Sequence, residues 1–347
     1  MERIKKLIIM AFAFALIWGV VGQADTSYSQ TSTGKVFKWR AQSFFATGHS
    51  QTEVNKKWCA EVKRMTNGRI DISYFGANEI VPTIEAWEAC SKGVFEVFFD
   101  WSGYWTGKTL MAGYATGLPY TMRNAMDYIT VMRGFGLLEM LRNTYAKSNL
   151  YLVSSFPTHA QVFMSRFPVT KVADFKGRKI RTAGFMADVL TEAGASPVFL
   201  PMSDVYGAIE RGVVEGTTMA ISYQFNYGIH EVTKFLLMSP INDMEGQNLI
   251  INMNAWNSLP DDLKILLEHS ASNLGERILN HDFAEDVRAL NKMKEKGIKL
   301  TYLPEEERSK MAELAVIVLD KYSKKDPDFA KATEIVKNYM RTVGVLK

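Results

Sequence analysis

The chain has 347 residues, of which 47% are hydrophobic and 22% are charged, and its formal net charge is +4. This composition excludes a disordered chain and permits one large or two medium domains. The modest charge, without a basic run interleaved with aromatic residues, argues against a nucleic-acid-binding protein.

The first 24 residues have the pattern of a signal peptide. A basic start precedes an apolar run from Leu7 to Gly22, and a small-residue sequence ends at Ala24. The run is short for a membrane span. We therefore expect residues 1–24 to be removed on export, most simply to a bacterial periplasm, and residues 25–35 to form a linker. An uncleaved anchor is the alternative.

The first part of the remaining chain alternates strands and helices. Strands are predicted over residues 36–45, 69–75 and 94–101, with a helix before and after the second strand. Ser50 and Glu53 have the spacing of a capping box for the first helix. The order β-α-β-α-β predicts a parallel sheet with helices on both faces.

The same alternation returns later in the chain. Strands are predicted over 150–156, 161–167 and 197–200, and helices follow Arg181 and Ser203. Residues 258–297 are predicted to be mainly helical, which exceeds the usual length of a globular helix. The two halves have no internal sequence repeat, so a recent duplication is not indicated.

Cys59 and Cys90 are the two cysteines of the chain. An exported protein can form a disulfide between them, and two buried free thiols are the alternative. The sequence leaves both open. Two cysteines without clustered histidines cannot form a structural zinc site.

The sequence has no motif of a common enzyme class. None of the five histidines is paired at a metal-ligand spacing, and there is no nucleophile elbow, phosphate loop or dinucleotide fingerprint. These absences favour binding over catalysis. A periplasmic hydrolase with a triad assembled from distant segments is the alternative, because triads are defined by geometry and not by order.

Arg181 stands at the end of a predicted buried strand, followed by small residues up to Gly184 and then by a helix. A guanidinium pairs with a carboxylate through two parallel hydrogen bonds, and small residues let a ligand approach the backbone. The pattern therefore indicates an anion site. A structural ion pair with a local acid such as Asp188 is the alternative.

Three aromatic residues also follow predicted strands of the first half, namely Phe44, Trp101 and Tyr104. Open α/β sheets place their ligand crevice at such strand ends, and aromatic rings there can enclose an apolar ligand body. Packing in the core is the alternative for each ring.

Two blocks of the chain resemble the periplasmic solute-binding subunits of TRAP transporters, and are most similar to the branch that binds 2-oxo acids. They are VADFKGRKIRTAG (172–184) and SPVFLPMSDVYGAIERGVVEGT (196–217), and the resemblance covers about residues 36–340. It implies an α/β, type II-like periplasmic-binding fold, with hinge strands between two lobes and a long helix that spans both. Lobe I is expected at 36–155 plus about 246–285, and lobe II at 156–245 plus about 286–347.

The resemblance also implies roles for individual residues. Arg181 matches the family arginine that grips the ligand carboxylate, and Gln161 matches a second polar contact. Met219 would offer an apolar contact and Tyr223 a hydroxyl. Glu245 lies in a Glu-Gly-Gln sequence that resembles a Glu-Gly-Gly turn facing the cleft.

The resemblance is imperfect where the 2-oxo-acid branch has a Glu-Trp pair that takes part in holding a metal ion. Here Thr218 and Met219 follow Thr217 after the glycine, and we expect both to contact the ligand. Thr218 cannot replace a carboxylate as a ligand for a hard cation. We therefore expect no metal and no cofactor, and a 2-oxo acid bound together with a cation is the alternative.

These residues predict a pocket with one strong anion site and a mostly apolar remainder. The expected ligand is a monocarboxylate with an apolar or aromatic body, captured by hinge closure without covalent chemistry. The resemblance implies sodium-dependent uptake through a membrane permease, and a role in sensing is not separable from transport. We expect a monomer, because the chain lacks the extended C-terminal helix with which the 2-oxo-acid branch can dimerise.

Overall fold

A computed structural model describes residues 34–344 and residue 346. The predicted signal peptide and nearly all of the predicted linker lie outside the described residues. No described helix combines the length and apolar character needed to cross a membrane.

The described part of the chain contains eleven strands and thirteen α-helices. The strands are β1 (Phe37–Ser43), β2 (Ile70–Phe75), β3 (Val97–Asp100), β4 (Leu150–Pro157), β5 (Gln161–Ser165), β6 (Lys179–Arg181), β7 (Ser196–Val198), β8 (Gly216–Met219), β9 (Phe235–Asn242), β10 (Gly246–Asn252) and β11 (Lys299–Thr301). The helices are α1 (Thr52–Met65), α2 (Ala86–Ser91), α3 (Ala112–Ala115), α4 (Ala125–Ile129), α5 (Leu137–Ala146), α6 (Phe185–Glu192), α7 (Val205–Glu210), α8 (Ile221–Asn226), α9 (Ile229–Val232), α10 (Met253–Asn257), α11 (Asp261–Glu295), α12 (Glu305–Ser323) and α13 (Pro327–Thr342).

The first sheet has the strand order β2-β1-β3-β10-β4. β1 pairs in parallel with β2 and β3, as the alternation of strands and helices predicts. β10 pairs antiparallel with both β3 and β4, so the complete sheet is mixed, although the three strands predicted to be parallel are parallel. The physical reason is that β10 enters this sheet from the second sheet and not through a helical crossover.

The second sheet has the strand order β11-β9-β5-β8-β6-β7. β6 pairs in parallel with β7 and β8, whereas β5 pairs antiparallel with β8 and β9. Arg181, the last residue of β6, is opposite Val198 on one side and Thr217 on the other. The three strands therefore bring Arg181 and the residues that follow Thr217 to one edge of the sheet.

Two short connections carry the chain from one sheet to the other. Residues 158–160 join β4 to β5, and residues 243–245 join β9 to β10. The Thr158 N–H donates to the Glu245 carbonyl at 2.8 Å, and the Glu245 N–H donates to the His159 carbonyl at 3.3 Å. The two crossings are thus paired, and they place His159 next to Glu245.

Helix α11 is the third element that reaches both sheets. Its 35 residues extend for about 52 Å at a rise of 1.5 Å per residue. Leu263 and Leu267 pack in the core of the first sheet, and Ala289 and Met293 pack in the core of the second. The predicted two-lobed fold with a helix spanning both lobes is confirmed. The residue limits of the lobes stay a prediction.

The predicted capping box of Ser50 and Glu53 is wrong. α1 begins at Thr52, and the residue at its N-cap makes no side-chain hydrogen bond to it. The Thr52 N–H donates to the His49 carbonyl at 2.9 Å, so a backbone turn satisfies the start of the helix. Glu53 instead pairs with Lys56 at 3.2 Å.

Both cysteines are buried and free. Burial raises the pKa of the Cys59 thiol to about 12 and that of the Cys90 thiol well above its usual value. Of the two alternatives that the sequence left open, the structure has the pair of buried thiols. Neutral thiols of this kind are poor nucleophiles.

At Gly275, α11 lies against strand β4 without room for a side chain. A Cβ atom built there would lie 2.6 Å from the Phe156 Cβ. We expect Gly275→Ala to lower the free energy of unfolding by about 1–3 kcal/mol, since overpacking outweighs the gain in helix propensity. Urea unfolding of Asn273→Ala, at an exposed position of the same helix, is the control. A Gly275→Ala protein as stable as the control would show that α11 and β4 can separate freely.

Candidate ligand-binding site

A cavity lies where the two sheets meet, at the paired crossings. It is partly open and has roughly 370 Å³ of free space, counting space that is open to solvent. Its lining residues are Phe44, Trp101, Tyr104, Gln161, Arg181, Met202, Met219, Ala220, Tyr223, Glu245 and Gln247. A concave site lined by aromatic rings and a few polar side chains is typical of small-molecule binding.

Eight of the nine predicted site residues line this cavity. The exception is Thr218, which is buried and whose hydroxyl donates to the Thr182 hydroxyl at 2.8 Å. Its carbonyl oxygen instead accepts a hydrogen bond from Arg181. Thr218 therefore orients the arginine and does not face the cavity.

The sequence analysis missed three lining residues, Met202, Ala220 and Gln247. Ala220 directly follows Met219, and Gln247 stands two residues after Glu245, so their positions could have been inferred from predicted neighbours. Met202 lies in a turn between β7 and α7, and no pattern in the sequence indicates its place.

Arg181 is held in place by two backbone carbonyls. Its Nε donates to the Leu200 carbonyl at 2.9 Å, and its Nη1 donates to the Thr218 carbonyl at 3.3 Å. No carboxylate among the described residues forms an ion pair with it. The alternative pairing with Asp188 is wrong, because that carboxylate accepts a hydrogen bond from the Tyr322 hydroxyl at 2.9 Å.

The environment of Arg181 favours an anion. The side chain is buried, and burial lowers its pKa, an effect that Tyr104 and Glu245 oppose. An arginine still carries its charge at any physiological pH. A buried cation without a carboxylate partner is costly, and an incoming carboxylate would supply that partner.

Aromatic rings form one wall of the cavity. Trp101 and Tyr104 contact each other edge to face, with ring centroids 5.1 Å apart. The rings of Phe44 and Phe45 pack against each other, with centroids 3.9 Å apart. All three predicted aromatic residues follow strands of the first sheet, and they line the cavity instead of lying wholly in the core.

Glu245 adds a buried carboxylate to the cavity. Its Oε1 accepts a hydrogen bond from the Trp101 indole N–H at 3.2 Å and another from the Gln161 amide. Burial raises the pKa of Glu245 to about 8, against the opposing effect of His159. Gln161 and Gln247 add two amide groups to the lining, and the other residues that line the cavity beside Arg181 and Glu245 are aromatic or apolar.

A buried ionic cluster lies behind the cavity, and the sequence analysis did not predict it. His159 Nδ1 lies 3.1 Å from a carboxylate oxygen of Asp286, and its Nε2 lies 3.9 Å from one of Asp282. Burial alone would lower the pKa of His159, but the two carboxylates prevail and raise it to about 9. The histidine is therefore protonated at neutral pH.

Tyr223 connects this cluster with the cavity. Its ring lies 4.4 Å from that of His159, between centroids. Its hydroxyl donates to the Gln51 amide oxygen and accepts from the Gln247 amide nitrogen, both at 3.1 Å. The predicted hydroxyl at Tyr223 is thus already engaged, and the residue contributes mainly its ring to the cavity.

No group of three or more histidine, cysteine, aspartate or glutamate side chains is placed to hold a metal ion in the described part of the chain. Glu245 is the only carboxylate among the residues that line the cavity. The site offers few ligands for a hard cation.

Residues 42–326 match the family described as bacterial extracellular solute-binding protein, family 7, or DctP. The chain belongs to this family. The predicted kinship with the periplasmic solute-binding subunits of TRAP transporters is confirmed. The proteins that it resembles bind solutes and are not enzymes.

Three similar proteins illustrate the range of the family. A monocarboxylate 2-oxoacid-binding periplasmic protein of Nostoc sp., all3028, is 24% identical over 92% of this chain and 88% of its own. The ectoine-binding periplasmic protein TeaA of Halomonas elongata is 24% identical over 91% of each chain. A TRAP transporter solute-binding protein of Bordetella bronchiseptica, with calcium and picolinate in its site, superposes with a TM-score of 0.83 at 23% identity, over 90% of this chain and 94% of that one. The structural likeness shows the common fold.

Proposed function

We propose that this protein binds an organic monocarboxylate between its two lobes and delivers it to the membrane permease of a TRAP transporter. The observation that carries the proposal is Arg181, a buried guanidinium that lines the cavity and forms no ion pair with any carboxylate in the part of the chain that the structure describes. Its remaining N–H groups can pair with a ligand carboxylate in the bidentate manner. No chemical conversion of the ligand is involved.

The cavity favours a small acid with an apolar or aromatic body. Trp101, Tyr104 and Phe44 provide flat apolar surfaces, and Met219 adds an adaptable one. Two similar proteins are consistent with this choice, because 2-oxo acids and picolinate are small carboxylates. A 2-oxo acid bound with a cation is the second candidate, supported by the calcium in the Bordetella protein.

The remaining steps of the proposal concern capture and delivery. The lobes close on the ligand through the paired crossings at 158–160 and 243–245, and the loaded protein docks on the permease as a monomer. Removal of residues 1–24 releases it into the periplasm, where its family relatives act. The uptake is driven by sodium.

A thermal-shift screen tests the proposal. The purified protein is heated with 2-oxo acids, aromatic acids, dicarboxylates and sugar acids, each with and without calcium or sodium. A ligand at one hundred times its dissociation constant stabilises the folded protein by about 2.7 kcal/mol, so one acid class should raise the melting temperature clearly. Carboxylic esters of the same acids are incubated with the protein in parallel, and their hydrolysis is followed by chromatography. No shift with any acid, or turnover of an ester, would contradict the proposal.

A further inference from the structure

We propose that the bound acid is a zwitterion, whose carboxylate pairs with Arg181 and whose positively charged nitrogen meets the free oxygen of Glu245. The inference rests on the proposed function, because it concerns the same cavity. It goes beyond that function by naming a second charged group on the ligand and the residue that recognises it.

The first observation is the uneven use of the two Glu245 oxygens. Oε1 accepts hydrogen bonds from Trp101 and Gln161, which fix the orientation of the carboxyl group. Oε2 has no hydrogen-bond partner among the described residues. The residue is 5% exposed and lines the cavity. When Glu245 is ionised, its carboxylate is pinned on one side and open on the other, so Oε2 is suited to accept a hydrogen bond from a ligand.

The second observation is that Arg181 and Glu245 share the cavity without forming an ion pair. The arginine is held by the Leu200 and Thr218 carbonyls, and the glutamate is held by Trp101 and Gln161. The guanidinium of Arg181 and the carboxyl group of Glu245 are thus each held by hydrogen bonds to different residues. A ligand with a negative and a positive end can satisfy both, whereas a plain anion satisfies only the arginine.

The aromatic wall can enclose the apolar body of such a ligand. Trp101 donates its indole N–H to Glu245, so the edge of its ring lies beside the carboxyl group, and Tyr104 contacts the same ring edge to face. Rings beside a carboxyl group suit a ligand whose positively charged nitrogen is attached to an apolar body.

A metal ion is the other possible source of the positive charge. The lining residues supply Glu245 as their single carboxylate, and the amide nitrogen of Gln161, not its oxygen, is turned toward that carboxylate. A hard cation prefers six or more oxygen ligands. These contacts favour an organic cation, and the experiment below separates the two.

The protonation of Glu245 gives the inference a pH signature. Burial raises the pKa of Glu245 to about 8, and the charged groups that face it are His159 from the crossing, Arg181 from β6 and Asp282 from α11. Three titratable tyrosines also face it, Tyr104, Tyr128 and Tyr223, and burial raises the pKa of each further above neutral pH. In the empty protein at pH 7 the carboxyl group therefore mostly keeps its proton. A cationic ligand requires the ionised form, so its affinity should rise between pH 6 and 8.

Calorimetry with matched pairs of acids tests the inference. Each pair has the same shape and differs in one charged nitrogen: pipecolate and cyclohexanecarboxylate, proline and cyclopentanecarboxylate, trigonelline and 3-methylbenzoate. We expect the wild type to bind at least one zwitterion about 10- to 100-fold more tightly than its partner, the range of one charge-assisted hydrogen bond. Glu245→Gln should abolish that preference and the rise with pH, while still binding the plain acid. Glu215→Gln, which changes a carboxylate outside the cavity, is the control. It should keep the preference for the zwitterion and the rise of affinity with pH.

The outcomes distinguish this inference from the proposed function. Plain acids that bind as tightly as their zwitterionic partners in every pair would overturn the inference and leave the proposed function standing. Zwitterion affinity that is lost in chelator and sodium-free buffer would assign the positive charge to a metal ion, and would also overturn it. No binding of any member of the three pairs would count against the proposed function and this inference together.

Discussion

Replacing Arg181 by methionine is expected to abolish acid binding while leaving the protein folded. The guanidinium would form two charge-assisted hydrogen bonds with the ligand carboxylate, which contribute about 3–6 kcal/mol together. Their loss weakens binding by about 10²- to 10⁴-fold. Titration calorimetry with the acid found in the thermal-shift screen measures this loss directly.

The same substitution should have little effect on stability, because two changes oppose each other. The Leu200 and Thr218 carbonyls lose their donors, at a cost of about 1–3 kcal/mol for each buried group. A buried cation without a carboxylate partner disappears, which removes its desolvation penalty. We expect the free energy of unfolding in urea to change by less than about 2 kcal/mol.

Arg178 provides the matched control for Arg181. It lies just before the same strand, pairs with Glu215 at 2.7 Å, and has a side chain that is 41% exposed. Arg178→Met should therefore bind the acid as the wild type does. Acid binding that persists in Arg181→Met would show that the anion site lies elsewhere, and binding lost in both variants would point to a general effect of removing charge from this sheet.

The sequence could predict Arg181 and the aromatic wall because each depends on a local pattern. Arg181 ends a buried strand, and Phe44 and Trp101 follow strands, so the topology of an α/β fold brings them to one crevice. Resemblance to the family added Gln161 and Glu245. Glu245 faces the cavity because the crossings at 158–160 and 243–245 pair with each other. This pairing joins segments that are far apart in the sequence, so no single segment predicts it.

The features that sequence reasoning could not predict all depend on distant contacts. His159 meets Asp282 and Asp286 across more than one hundred residues of chain, and no spacing rule connects them. Asp188 was an alternative partner for Arg181 by proximity in sequence, but Tyr322 of α12 takes that carboxylate instead. The sequence analysis also predicted no strand over residues 235–252, where the structure has β9 and β10, so the antiparallel pairing of β10 was missed with the strand itself.

Replacing His159 by leucine is expected to cause a large loss of stability. The imidazole lies against two carboxylates at a chain crossing, and its side chain and that of Asp282 are each 1% exposed. Removing one partner of a buried ion pair leaves uncompensated charge and typically costs about 3–5 kcal/mol. Urea unfolding at pH 7 measures this loss. His159→Leu combined with Asp286→Leu should recover part of it, because one of the stranded carboxylates is removed as well.

The pH dependence of this loss follows from the raised pKa of His159. The group titrates near its ordinary value of about 6.5 in the unfolded chain and at about 9 when folded. Its contribution to stability is therefore fully present below pH 6.5 and is lost as the pH rises toward 9. The difference in unfolding free energy between wild type and His159→Leu should be larger at pH 6.5 than at pH 9.

His230 supplies a control, because its pKa is shifted in the direction opposite to that of His159. It is a buried histidine that stacks on Phe225 at 4.4 Å, and burial lowers its pKa. The stability difference of His230→Leu should therefore change by only about 0.4 kcal/mol between pH 6.5 and 9, and in the opposite direction, because the unfolded imidazole is half protonated at pH 6.5. If the His159→Leu difference were equally flat, His159 would be neutral in the folded protein. The paired crossings would then be held by their backbone hydrogen bonds and by the ring of Tyr223, and not by charge.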